Sequence, residues 1–256
     1  MYLSHQYREL ARRNLKGKWM RAIGLILICT MVVLVTDIIS TLYLQSKNVS
    51  STLIDLTAEI DEKAARAIMI SGLIDLLGIL IALAFVFAES YVYLSAAYNI
   101  TPNKAGFLQN LKRAAESATF SLYLYIRILL WTLLLIIPGI IKALSYSMAT
   151  FIKLENPELS YNQAIERSMQ MMHTNKFNLF CLILSFIGYF IVVALITGIL
   201  GLFIGTLAAT LLTTISVAIL YIYVMTAVAL FYRNLKGEDI KQLDALNSVP
   251  GVPAEL

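Results

Sequence analysis

Charge is scarce in this chain. Of 256 residues, 14% are charged and 59% are hydrophobic, where a soluble domain carries about 25% and 45–50%. Mean hydropathy is +0.76. The apolar share exceeds what a water-soluble core requires. Cysteine and histidine are equally sparse, two of each. Cys29 and Cys181 sit inside apolar runs, as small buried hydrophobes rather than a disulfide or metal pair. His5 and His173 fall on expected surface helices, and nothing is spaced to give zinc its three or four clustered ligands. GxSxG, P-loop and dinucleotide fingerprints are missing. The sequence therefore points to no catalytic, cofactor-binding or metal-binding set, and no cofactor is expected. No cleavable signal peptide is expected either: the first apolar run starts near Ala22 and is too long for a signal core. A net charge of +4 is too small and too scattered for nucleic acid, and suits anchoring beside a membrane.

What the chain has is long apolar runs. Several reach the roughly 20 residues that cross a bilayer as a helix, and they are continuous rather than alternating, which excludes a β-barrel. The expected fold is all-α, a polytopic helical membrane bundle. It has about six membrane helices, over 22–44, 67–88, 120–137, 139–152, 177–198 and 206–231. Three amphipathic helices, 1–21, 102–118 and 160–172, lie at the interface. Leu3, Tyr7, Leu10, Ala11 and Leu15 share a face of the first, with Ser4 available as its cap and a run of arginines and lysines beside it. The positive-inside rule then puts both termini in the cytoplasm. Thr101-Pro102 starts the second amphipathic helix, and Ser160 with Gln163 forms a capping box for the third. Thr52 with Asp55 gives a similar pattern in the acidic segment 45–66. The stretch GILGLFIG, 198–205, supplies a break before the last span, or a GxxxG packing face. The tail 234–256 reads as disordered.

The stretch 120–157 organises the rest. Two apolar segments meet at Pro138-Gly139 without a polar residue between them, so a helical hairpin with its tip at Pro138 and Gly139 is expected. Its first arm either spans fully or enters as a re-entrant loop. Arg127 and Lys142 stand on its two arms, and Asp75 and Glu89 on span two. Charges among apolar residues cost roughly 2.5–3.5 kcal/mol each on insertion scales and tend to have a reason. These four are the candidate residues. Either an acid on span two neutralises Arg127 and fixes the bundle's register, or Arg127 or Lys142 holds an anionic head group or carboxylate. A third reading is a charge at the interface, snorkelling to water, which suits Asp37 and Glu89 best; Tyr123, Tyr125 and Tyr146 read as belt or packing residues.

Four stretches, ARRNLKGKWMRAI (11–23), IPGIIKALSYSMATFI (137–152), ENPELSYNQAIERSMQMM (155–172) and NKFNLFCLILSFIGYF (175–190), follow the order of one family. Together they resemble the domain of unknown function 975 family of integral membrane proteins, found mainly in Gram-positive bacteria. That family is similar in plan to the membrane domain of some glycerophosphoryl diester phosphodiesterases. The resemblance runs from Tyr7 to Arg233, is strongest at 138–141 and 164–188, and departs at GILGLFIGTLAAT. It implies a multi-pass protein of a bacterial cytoplasmic membrane and brings no catalytic residues with it. The expected partners are membrane lipids, with a membrane-protein partner or a homo-oligomer as the alternative. The expected role is non-enzymatic: binding or transport of an amphiphile or anionic lipid head group. A regulatory, stress or immunity-type protein is the second reading, and an intramembrane lipid-modifying enzyme the third.

Overall fold

The computed structural model describes residues 3–47, 62–204 and 206–237. Thr52, Asp55, Gly205 and the tail from 238 lie outside the described residues. Among the described residues the chain is all-α, with no strand. In order, α1 is Ser4–Leu15, α2 Trp19–Ser46 and α3 Glu62–Ala82, followed by a tight turn at Leu83–Phe85. Then come α4 Val86–Ala97, α5 Lys104–Leu111, α6 Ala114–Leu134, α7 Ile136–Tyr146 and α8 Ala149–Glu155. The last four are α9 Tyr161–Met171, α10 Lys176–Leu184, α11 Ile187–Ile204 and α12 Thr206–Leu235.

Five helical stretches among them are long and apolar enough to cross a membrane: α2, α3 with α4, α6, α10 with α11, and α12. This is the architecture of a multi-pass membrane protein. Long helices are the only open-chain answer to lipid, because each satisfies its own backbone polar groups. The apolar residues of α2, α3 and α11 stay largely exposed, as they must against hydrocarbon, whereas α12 is packed on several sides, touching α1, α2, α4, α10 and α11.

The amphipathic helices turn their apolar faces to protein. Tyr7, Leu10, Ala11 and Leu15 of α1 are buried, and Tyr7 packs on Phe231 of α12 at 5.5 Å between ring centroids. Ala164, Ile165 and Ser168 of α9 are buried likewise. Ser160 and Gln163 form the capping box, the Ser160 hydroxyl accepting from the Gln163 N–H at 3.3 Å and Gln163 Oε1 accepting from the Ser160 N–H at 2.9 Å. Two expected caps move. In α1 the Leu3 N–H donates to Gln6 Oε1, with Ser4 already inside the helix. In α5 the cap is Asn103, whose Oδ1 accepts from the Gly106 N–H at 2.7 Å, rather than Thr101. The expected helix 102–118 is divided: it breaks at Lys112–Arg113, and its second half is the start of the long α6.

The hairpin forms, but its corner is not at Pro138-Gly139. The chain turns at Leu135, extended at φ −159° and ψ 139°, and Pro138 sits in the first turn of α7. A proline there removes no helical hydrogen bond, because first-turn amides have no partner inside the helix. Gly139 instead permits close packing: a Cβ on it would lie 2.7 Å from the Thr132 Cα of α6. The returning arm is also shorter than the expected 139–152. Its 11 residues in α7 rise about 16 Å, half of a hydrocarbon core of about 30 Å. The chain then breaks at Ser147–Met148, and α8 runs into the protein core with Phe151, Ile152 and Lys153 buried.

Candidate functional site

Two helix breaks border one cavity in this bundle, and each is closed by a serine from elsewhere. At Leu83–Phe85 the path from α3 to α4 loses its regular ladder. Ser117 of α6 donates to the Leu83 carbonyl at 2.9 Å and accepts from the Phe87 N–H at 3.1 Å. Between α7 and α8, Ser168 of α9 donates to the Ser145 carbonyl at 2.8 Å and accepts from the Met148 N–H at 3.2 Å. Both hydroxyls are buried. Irregular backbone in a membrane protein is tolerated where protein surrounds it or where it lines a cavity, and here protein encloses both sealing serines.

A cavity of about 220 Å³ lies among α4, α6, α7, α8 and α12. Its walls include Val86 and Glu89 just after the first break, and Ser147 and Thr150 at the second. Glu89 is its acidic group. The Tyr93 hydroxyl, one turn along α4, donates to Glu89 Oε2 at 3.5 Å. Tyr93 meets Tyr221 of α12 edge to face, at 6.1 Å and 82°. Tyr125 of α6 and Tyr146 of α7 complete an aromatic wall. Among the described residues no lysine or arginine forms an ion pair with Glu89.

Phe151 of the cavity stacks on Tyr232 at 5.4 Å and 25°. Tyr232 in turn borders a larger crevice, about 800 Å³, between α4, α8, α9 and the end of α12. Glu155 gathers that side: it accepts from the Tyr232 hydroxyl at 2.7 Å, the Tyr98 hydroxyl at 3.2 Å and Lys236 Nζ at 3.1 Å. Burial pulls the Lys236 ammonium down, but the hydrogen bonds to Glu155 and Tyr98 outweigh it and raise the group above the usual lysine range.

The four charged candidates fall in separate places. Glu89 lines the cavity. Asp75 is half-buried on α3 with Oδ1 enclosed and unpartnered, close enough to Asp37 of α2 for their charges to interact. Arg127 lies over the Tyr123 ring at 4.9 Å, and Lys142 over Trp131 at 4.8 Å. Neither acid of span two pairs with Arg127 among the described residues.

Among the described residues two cations are buried, Arg233 of α12 and Lys153 of α8, and the second escaped the sequence reading. Lys153 of α8 is 4% exposed and donates to the Pro157 and Leu159 carbonyls at 2.7 and 2.8 Å, while ion-pairing Glu116 of α6 at 2.8 Å. Its one sequence signal was a lysine inside the apolar run before Pro157. Nothing local in the sequence marks Tyr93 and Tyr221 as neighbours across two helices.

The family profile described as "Protein of unknown function (DUF975)" matches residues 46–239. No curated protein and no solved structure matches the chain.

Proposed function

We propose a binding role for this chain, which belongs to the DUF975 family of proteins of unknown function: it takes up an amphiphile with a cationic head group, an amine or quaternary ammonium, at Glu89. The observation that carries this reading is a carboxylate without a cation partner in a cavity walled by Tyr93, Tyr125, Tyr146 and Tyr221. Tyrosine faces attract organic cations, by about 2 kcal/mol or more where water is excluded, and an unpaired acid at membrane depth is a costly group that a cationic ligand would satisfy. A volume near 220 Å³ suits a head group rather than a whole lipid. The opposite choice, an anionic head group at Arg127 or Lys142, has less support, since both cations already lie on aromatic rings and line neither cavity. Carriage across the membrane is a natural extension, because broken helices beside a central site are the usual construction of secondary transporters.

The test is thermal unfolding in maltoside micelles with tetramethylammonium, choline and a long-chain trimethylammonium added in turn. Stabilisation by the cations is expected, strongest for the long-chain one and about 2.7 kcal/mol at a hundredfold excess over Kd. It is expected to vanish in Glu89→Gln and weaken in Tyr221→Leu. An equal response in Glu89→Gln would overturn the assignment.

A further inference from the structure

We infer that the groove between the start of α2 and the start of α5 is a second site, which holds an anionic phospholipid by its phosphate. The groove encloses about 570 Å³ and is lined by Met20, Arg21, Gly24, Leu25, Ile28 and Lys104 among others. Its two ends differ in chemistry. At the rim, Arg21 and Lys104 are both exposed, come from different helices, and have no carboxylate partner among the described residues. Asn103 caps α5 through the Gly106 N–H, which leaves the preceding amides of Lys104 and Ala105 open at the positive end of the helix. Below the rim the groove follows α2 and becomes apolar, with Met20 85% and Ile28 51% exposed. Gly24 forms a notch in this wall, and a Cβ there would meet nothing within 4 Å.

A free anion would use the rim alone. An acyl chain is the partner that also covers Met20, Leu25 and Ile28 on a helix long and apolar enough to cross the membrane. Two unpaired cations over an apolar trough match a lipid whose head carries net negative charge, and the pairing of basic pocket with acidic head group is the general rule for such sites. The groove shares no lining residue with the Glu89 cavity, so each can fail without the other.

The experiment is native mass spectrometry of the delipidated protein with dioleoylphosphatidylglycerol, with dioleoylphosphatidylcholine, and with glycerol phosphate as the free head group. One phosphatidylglycerol is expected to be retained in preference to phosphatidylcholine, and glycerol phosphate not at all. The double variant R21Q/K104Q should weaken retention about 25-fold, a factor of about five for each cation. Gly24→Leu should abolish it with little loss of melting temperature, because the new side chain fills the trough from a position where a Cβ meets nothing within 4 Å. Glu89→Gln should leave it unchanged. Equal retention of the two lipids, or phosphatidylglycerol retention unaltered in Gly24→Leu, would overturn the site. Glycerol phosphate binding that survives Gly24→Leu would overturn the lipid and leave a soluble phosphate compound as the ligand.

Discussion

Lys153 carries the heaviest structural duty of any single side chain described above. It ties the α8–α9 loop, through two carbonyls, to the acid at the foot of α6. Replacing it with methionine keeps the stem but leaves Glu116 Oε1 and both carbonyls without their donor. The expected cost is about 3 kcal/mol, the low end for breaking a buried pair, since Glu116 is 30% exposed. Chemical unfolding followed by the emission of Trp19 and Trp131 measures it. A loss below about 1 kcal/mol would mean that water replaces the ammonium, at the price of a surface pair only. At this scale the sequence was partly legible. Glu89 stood out because charge is rare in the chain, but its ring of tyrosines did not, since Tyr93, Tyr125 and Tyr221 come from three helices and their proximity is a product of packing. Lys153 gave no sign of its duty, because two of its acceptors are backbone carbonyls, which every sequence has.

At the scale of the element, long apolar periodicity gave the helices and their approximate ends, while the hairpin corner was misplaced. Pro138-Gly139 is the strongest turn signal of the chain, yet proline sits comfortably in a first turn and the corner moved to Leu135. The breaks at Leu83–Phe85 and Ser147–Met148 carry neither proline nor glycine. Their sealing hydroxyls lie 34 and 23 residues downstream in sequence, beyond any local window. Gly139 makes a sharp test of the hairpin. Gly139→Leu drives a side chain into Thr132 and should destabilise by about 1–3 kcal/mol through overpacking. Gly188→Ala, where a Cβ meets nothing within 4 Å, should be neutral or stabilising by up to about 1 kcal/mol, because alanine is the better helix former. Thermal unfolding of the two variants side by side decides it; equal melting temperatures would mean that α6 and α7 part easily.

For the whole molecule, fold class was the most legible property, because hydropathy alone forces long helices. The depth of packing around α12 was not, since its overall apolarity resembles that of the largely exposed α2. The amphipathic helices belong to the same lesson. Their apolar faces look membrane-bound in sequence and are spent on protein contacts in the fold, α1 against α4, α10 and α12. One consequence is topological. The Tyr7 hydroxyl donates to Asn234 Oδ1 at 3.2 Å, and the Tyr223 hydroxyl to the Arg8 carbonyl at 2.9 Å, so α1 is held against the end of α12. Reporters of sidedness fused before α1 and after Gly237 should therefore read the same compartment. Opposite readings would contradict the packing of α1.

The two serine seals also set an order in time. A ribosome delivers the chain from its amino end at about 5–20 residues per second. The break between α3 and α4 is made before the hydroxyl that closes it, which arrives with Ser117, 34 residues after Leu83. For a few seconds that backbone lacks its partner, and the same wait recurs when α7 and α8 await Ser168. Both breaks are thus completed by a helix made later, and a chain released before α9 would leave its second break unsealed.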